Sequence, residues 1–224
     1  KSDAKMRQQI HHQAVIDEDG SVIDTVLITR FHEGDGSEQY FDEVNSSYVR
    51  LYVPEGSELL DAGGFVYPDE ASFRVPPRWY EDDEDLLEIE KEKSIHIDTG
   101  TRVTDEFGKT AFANWIVTKP NRETQVYFTY KLPFNVFEEE SVRISDTDGL
   151  DIASLIENFK GQESLSRYSM FMQRQSGSQS NFSHATIYPD SWKPVWKSGD
   201  DLFLSINGAS IEGPFDYDRV FGIV

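Results

Sequence analysis

The sequence predicts a mainly β protein with an antiparallel β-sandwich architecture. Short segments of alternating apolar and polar residues recur along the chain, as in residues 48–53, and this period-2 pattern is typical of strands with one buried face. Clusters of Gly, Pro, Asn and Asp separate the segments and favour turns. The 15 Phe, 10 Tyr and 4 Trp residues supply the large side chains that such a core requires.

The first predicted element is a hairpin, in which residues 15–16 and 21–30 form two strands around the acidic turn Asp17–Gly20. A strand over residues 48–53 follows and ends at Pro54. Residues 68–93 are rich in proline and acidic residues, so they are interpreted as a long surface loop with one helical turn. The later predicted strands cover residues 94–98, 110–118 and 124–131.

The pattern changes at residue 137, and this change divides the chain into three predicted parts. Residues 1–136 form a first β-sandwich portion, and residues 137–161 form a helical connector with apolar side chains at helical spacing between 150 and 159. Residues 162–224 form a second β portion, either separate or packed into the same domain. Its predicted strands are 168–174, 183–188, 202–206 and 217–224.

The charge balance limits the possible partners. The 41 acidic and 21 basic residues give a net charge of −20 and no basic patch, which disfavours nucleic acid and anionic membrane surfaces. The chain has no cysteine, so disulfides, thiol nucleophiles and cysteine-bound zinc are excluded. No apolar run is long enough to cross a bilayer, and we expect no membrane contact by this chain itself.

The histidines do not form a recognisable catalytic pattern. His11 and His12 lie near a chain start that we expect to be frayed, and His32, His96 and His184 are scattered over different segments. Because none has metal-motif spacing or a neighbouring nucleophile signature, they are interpreted as surface or packing residues. The sequence therefore predicts a protein that is not an enzyme, with no required cofactor.

Three carboxylates form the most specific local pattern. Asp146, Asp148 and Asp151 alternate around Gly149 just before the predicted helix, and such oxygen ligands suit calcium. The pattern matches the twelve-residue calcium loop only in part, because Leu150 replaces a ligand and the glycine comes two places early. A turn and helix cap is the alternative interpretation of the same residues.

Two tryptophans suggest a second candidate site. Trp192 and Trp196 lie four residues apart and could present an aromatic platform to a sugar ring. Large aromatic side chains also serve as core or edge packing, and this alternative stays open.

Several segments resemble one bacterial family and occur in the same order along the chain. These segments are residues 19–21, 48–57, 106–112, 128–133 and 173–178. Together they resemble proteins that contain domain of unknown function 4012. The resemblance implies an extracytoplasmic β region, preceded in the full-length protein by a membrane segment and a helical region, and it carries over no catalytic residue. The acidic stretch 81–93 departs from the family's pattern.

Three hypotheses about function follow. The first is a non-enzymatic structural, adhesive or interaction module of a bacterial cell-envelope protein, whose partner is another envelope protein or a glycan. The second is a calcium- or carbohydrate-binding β-sandwich module, which rests on the aspartates and tryptophans named above. The third is an envelope-associated hydrolase, which would need convergent carboxylates or a histidine in one deep pocket.

Overall fold

The computed structural model describes residues 2–81, 83–137 and 166–224. For residue 92 it describes the backbone alone. These residues form a mainly β structure, which confirms the predicted class. Two 3₁₀ helices cover Ser2–Lys5 and Glu70–Ser72, and one short α-helix, α1, covers Glu84–Ile89. The strands are β1 (Met6–Ile16), β2 (Ser21–His32), β3 (Asn45–Pro54), β4 (Glu58–Gly63), β5 (Lys91–His96), β6 (Thr101–Glu106), β7 (Lys109–Thr118), β8 (Glu123–Asn135), β9 (Tyr168–Met172), β10 (Ser180–Ile187), β11 (Phe203–Leu204), β12 (Gly208–Pro214) and β13 (Arg219–Ile223).

The strands of the described residues form three sheets. The largest has the order β11-β12-β10-β1-β2-β8-β4, a second has the order β3-β7-β6-β5, and β13 pairs with β9 in a two-stranded ribbon. Strands from both predicted β portions share the largest sheet, because β10 lies beside β1. That pair is parallel, in contrast to the antiparallel pairing predicted throughout.

The core lies between the large sheet and the four-stranded sheet. Phe112 on β7 is fully buried, and its ring lies 6.2 Å from Phe128 and 5.5 Å from Tyr130, both on β8. The ribbon packs on the same large sheet through Phe221. Burial of large apolar side chains between stacked sheets is the main stabilising term of such an architecture.

The first predicted hairpin is confirmed, and its turn has a specific requirement for glycine. Gly20 has φ +80°, and its N–H donates to Asp17 O at 2.9 Å. A Cβ at this position would lie 2.2 Å from Asn135 Oδ1, so side chains are excluded by both backbone conformation and space. The turn therefore fixes the register of β1 and β2.

The predicted frayed start is wrong. Residues 6–14 form the first part of β1, which pairs with β2 on one side and with β10 on the other. A strand held on both edges does not fray, and the Gln and His residues that made this stretch look polar lie within the sheet. The prediction also missed β4, β6 and β12, whereas β5 begins three residues earlier than expected and β11 is shorter.

Candidate functional site

Residues 66–81 and 83–90, which we name the exposed segment, carry many large apolar side chains that face solvent. Val75 is 91% exposed, Trp79 76%, Tyr80 61% and Leu87 61%. The segment contains the second 3₁₀ helix and α1, in agreement with the predicted surface loop and helical turn. Its exposed aromatic and aliphatic residues were not singled out from the sequence, although a Trp-Tyr pair beside an acidic run was a usable signal.

Aromatic packing holds the start of the exposed segment on the four-stranded sheet. The Val66 N–H donates to the Trp115 carbonyl at 3.2 Å. The rings of Tyr67 and Phe73 lie 6.3 and 5.4 Å from the Trp115 ring, which also contacts Tyr48 at 5.1 Å. These contacts fix where the segment leaves the sheet.

A buried carboxylate organises the surface at the other end of the segment. Glu106 is only 2% exposed, and it accepts hydrogen bonds from Thr104 Oγ1 at 2.7 Å and Tyr52 OH at 2.8 Å. Arg50 Nη1 donates to the same carboxylate at 3.2 Å. Burial and the hydrogen bond to Glu106 raise the pKa of the Tyr52 phenol.

Arg50 connects this carboxylate to the exposed segment. Its guanidinium also forms an ion pair with Glu90, and Arg102 lies 3.6 Å from the second oxygen of Glu90. Partial burial opposes the charge of Arg50, but its contacts with Tyr52 and the two glutamates outweigh burial and raise its pKa. The end of the segment is thus held by charged groups rather than by apolar packing.

A pair of histidines occupies the interior of the large sheet. His12 and His184 are 5% and 1% exposed, and their Nδ1 atoms lie 2.7 Å apart. His12 Nε2 lies 3.4 Å from Asp24 Oδ2, and His184 Nε2 lies 2.7 Å from Thr186 Oγ1. Burial, with the neighbouring charges of His12 and then His11, lowers the pKa of His184 to about 2. The sequence treated these histidines as unrelated, because 172 residues separate them.

Two buried phenols lie around the same aspartate. Burial and the negative charge of Asp24 raise the pKa of Tyr130 and of Tyr168 well above the ordinary tyrosine value. Both groups therefore stay neutral over the physiological range. The cluster is thus a buried polar region of the core.

The two tryptophans of the predicted sugar platform have different surroundings. Trp192 lines an apolar cavity of about 50 Å³ together with Tyr168 and Tyr188, and its ring lies 5.3 Å from Phe137. Trp196 is 41% exposed and exchanges backbone hydrogen bonds with Val224 at 3.1 and 3.3 Å. Of the two, Trp192 is the one that lines this cavity.

An open polar concavity adjoins this cavity at Ile16 and Tyr188. Its volume is about 510 Å³, and Asp17, Glu18 and Asp190 contribute carboxylates to its wall. The lining of this concavity thus combines the aromatic Tyr188 with three acidic residues. Such a combination is typical of sites that bind polar small molecules.

The predicted calcium ligands Asp146, Asp148 and Asp151 lie outside the described residues. Within the residues that are described, no group of three or more His, Asp or Glu side chains is arranged to hold a metal ion. No helix in the same part of the chain has the length and apolar character needed to cross a membrane.

Comparison with known proteins leaves the family open. The chain matches no protein-family model, and a search of curated sequences gives no significant match. Three similar solved structures are an M1 zinc metallopeptidase from Deinococcus radiodurans, aminopeptidase A from Legionella pneumophila and a nutrient-binding candidate from the same Legionella species. Their TM-scores are 0.35, 0.33 and 0.42, at 8%, 8% and 7% identity.

The aligned regions differ mainly in how much of the other protein they cover. They include 97%, 96% and 98% of this chain, but 41%, 21% and 67% of those three chains in the same order. This chain thus spans less than half the length of either peptidase. At TM-scores below 0.5, these similarities support no assignment of activity.

Proposed function

We propose that this chain is a non-enzymatic interaction module that binds a partner protein through the exposed segment. The observation that carries the proposal is the concentration of solvent-facing Val75, Trp79, Tyr80 and Leu87 in one stretch of chain. Monomeric proteins seldom expose large apolar groups in this density unless a partner covers them. Tryptophan and tyrosine are also the side chains most often found to dominate binding energy at interfaces.

The charges of the exposed segment define the chemistry of the partner. Glu81, Asp83, Glu84, Asp85 and Glu88 are all exposed beside the apolar residues, and the whole chain has a net charge of −20. A matching surface therefore combines apolar pockets with surrounding lysine or arginine side chains. Opposite charge of this kind accelerates association and rejects acidic competitors.

The anchoring of the segment favours binding without a large entropic cost. Packing on Trp115 holds its start, and the ion pair of Glu90 with Arg50 holds its end. Asp83 Oδ1 accepts from the N–H groups of Asp85 and Leu86 and caps α1. A segment that is already ordered loses less conformational freedom on binding than a free chain.

A photo-crosslinking amino acid at position 79 of the full-length protein, expressed in its native cells, tests the proposal. The captured protein is then purified, and its affinity for this chain is measured by calorimetry. We expect Trp79→Ala and Leu87→Ala each to weaken binding at least about tenfold, as for hot-spot residues. Phe107→Ala is the matched control, because Phe107 is 78% exposed on a turn outside the segment.

Two results would contradict the proposal. One is an equal affinity of wild type, Trp79→Ala and Leu87→Ala for the captured protein. The other is that the photo-crosslinking amino acid at position 79 captures no protein above the background that it gives at position 107. Loss of affinity with Phe107→Ala would place the contact elsewhere on the molecule.

The resemblance of residues 19–21, 48–57 and 106–112 to the family named above supports a proposed location. We place the chain outside the cytoplasm, as part of a membrane-tethered envelope protein. Protease treatment of intact and lysed cells checks this location. Digestion only after lysis of all membranes would contradict it.

Carbohydrate binding is a second candidate, favoured by the position of Trp192 in the cavity beside Asp17, Glu18 and Asp190. Aromatic faces stack on sugar rings, and carboxylates accept hydrogen bonds from hydroxyl groups. Calorimetric titration with soluble envelope glycan fragments tests it. Binding that is lost in Trp192→Ala and retained in Trp196→Ala would support a site here, whereas no binding by wild type would eliminate the candidate.

A further inference from the structure

The contact between His12 and His184 lies at a structurally sensitive place. The two residues are direct register partners on the parallel strands β1 and β10. β10 reaches β2 and β8 of the large sheet through β1, and it carries β12 and β11 on its other side. Phe221 of the ribbon packs on the His184 ring with the centroids 3.9 Å apart. Separation at this contact would thus affect most of the described C-terminal strands.

The number of protons that this contact can hold follows from its geometry. When both histidines are neutral, the Thr186 hydroxyl donates to His184 Nε2, and His184 Nδ1–H donates to His12 Nδ1. His12 then carries its hydrogen on Nε2, which points to Asp24. One added proton on His12 is also accommodated, because His184 can then accept at Nδ1 and donate from Nε2 to Thr186. Asp24 balances the resulting charge.

A second added proton is not accommodated. It would place an N–H on both Nδ1 atoms, which are 2.7 Å apart, and two donors cannot share a hydrogen bond at that distance. It would also put two positive charges into a buried region. The contact therefore excludes the doubly protonated pair as long as the two strands stay together.

Among the described residues, the His184 end of the pair has the Thr186 hydroxyl as a hydrogen-bond partner but no ion pair with a carboxylate. The register partner on β12 is the apolar Ile211, and the ribbon contributes Phe221. The titratable groups near the pair are Asp24 on β2, the Tyr130 and Tyr168 phenols on β8 and β9 that surround Asp24, and the exposed His11, which precedes His12 on β1. Asp24 is the carboxylate among them, and it lies at the His12 end.

We propose that the His12–His184 contact is an acid-sensitive latch, in which uptake of the second proton separates β10 and the strands attached to it from β1. The inference is independent of the exposed segment. It assigns to this fold a conformational response to acidification, with the proton as the ligand and the β1–β10 pairing as the two-state element.

The expected size of the response follows from proton linkage. In the separated state His184 titrates at the ordinary histidine pKa of about 6.5, whereas in the closed state burial and His12 lower its pKa to about 2. Acid therefore favours the separated state, and its population rises about tenfold for each pH unit below 6.5. Between pH 7.5 and 5.0 the expected increase is about 30-fold.

Amide hydrogen exchange of the intact chain measures this population directly. Exchange rates of the β10 amides are recorded from pH 7.5 to 5.0 and corrected for the intrinsic chemical rate with an unstructured reference peptide. We expect the about 30-fold rise in wild type and in His11→Asn, because His11 is exposed. His184→Asn cannot take up the proton and should show a nearly flat profile. The same pH dependence in wild type and His184→Asn would overturn the proposal.

A second measurement needs no substitution. Nitrogen chemical shifts of the imidazole rings report the protonation state of each histidine in the folded wild-type protein. We expect His184 to remain neutral in the folded species at pH 5.0. A folded protein in which both His12 and His184 are fully protonated at that pH would refute the latch.

Discussion

Replacement of Glu106 by glutamine tests how the scaffold holds the end of the exposed segment. The substitution keeps the size and shape of the side chain and removes its negative charge. Glu106 is 2% exposed, and Thr104 and Tyr52 donate to it from 2.7 and 2.8 Å. Both hydrogen bonds are charge-assisted in the wild type. The two hydroxyls donate to different oxygens of Glu106, and one of these becomes an amide NH2 in the variant, so the hydroxyl that faces it must accept instead and both bonds are then neutral.

The magnitude follows from these two buried bonds. A hydrogen bond to a charged group contributes about 1.5–3 kcal/mol, and a neutral one about 0.5–1.5 kcal/mol. The loss is therefore about 1 kcal/mol for each bond, or about 2 kcal/mol in the free energy of unfolding. The side chain of Arg50 is 33% exposed, so water replaces its lost ion pair with Glu106 and little further cost is added.

Urea unfolding at pH 7, followed by both circular dichroism and tryptophan fluorescence, measures the difference. Glu55→Gln is the matched control, because Glu55 is exposed and its replacement should change stability by less than about 0.5 kcal/mol. The reasoning would be refuted if Glu106→Gln and Glu55→Gln were equally stable. Different transitions by the two probes would show that the protein does not unfold in a single two-state step.

Three further substitutions test the packing and the surface. Phe128→Ala should lower the free energy of unfolding by about 3–5 kcal/mol, because Phe128 is fully buried. If urea unfolding gave a decrease of less than about 1 kcal/mol, Phe128 would lie outside the core. Gly64→Ala should destabilise more than Gly36→Ala: both have positive φ, but a Cβ at Gly64 would lie 2.0 Å from Gln125 O and one at Gly36 meets nothing within 4 Å. Equal melting temperatures of these two variants would contradict the close approach of Gly64 to the Gln125 backbone. Trp79→Ala should leave stability within about 0.5 kcal/mol of wild type, since its side chain is 76% exposed, and marked destabilisation would show that Trp79 packs on this chain itself.

Local patterns were sufficient to predict the class of fold and several strands. The hairpin around Gly20, β7 and β8 follow from turn residues and alternating aromatic side chains, which act over a few neighbouring positions. The first half of β1 could not be predicted in this way, because His12 and its neighbours look polar and only their partners β2 and β10 make the strand central. The sequence predicted the long loop around α1, but it did not predict that the apolar residues of this loop are exposed.

The candidate sites depended much more on long-range contacts. The sequence singled out Trp192 as an aromatic that could contact a ligand, but the cavity around it is formed by residues as distant as Ile16 and Tyr168. The link between Arg50 and Glu106, 56 residues apart, has no local signature. Composition and short-range periodicity thus determined that this chain forms aromatic-rich sheets with an acidic surface. The tertiary structure decided which polar groups meet, as in the pairing of His12 with His184, because the register between distant strands is set by the packing of the whole core.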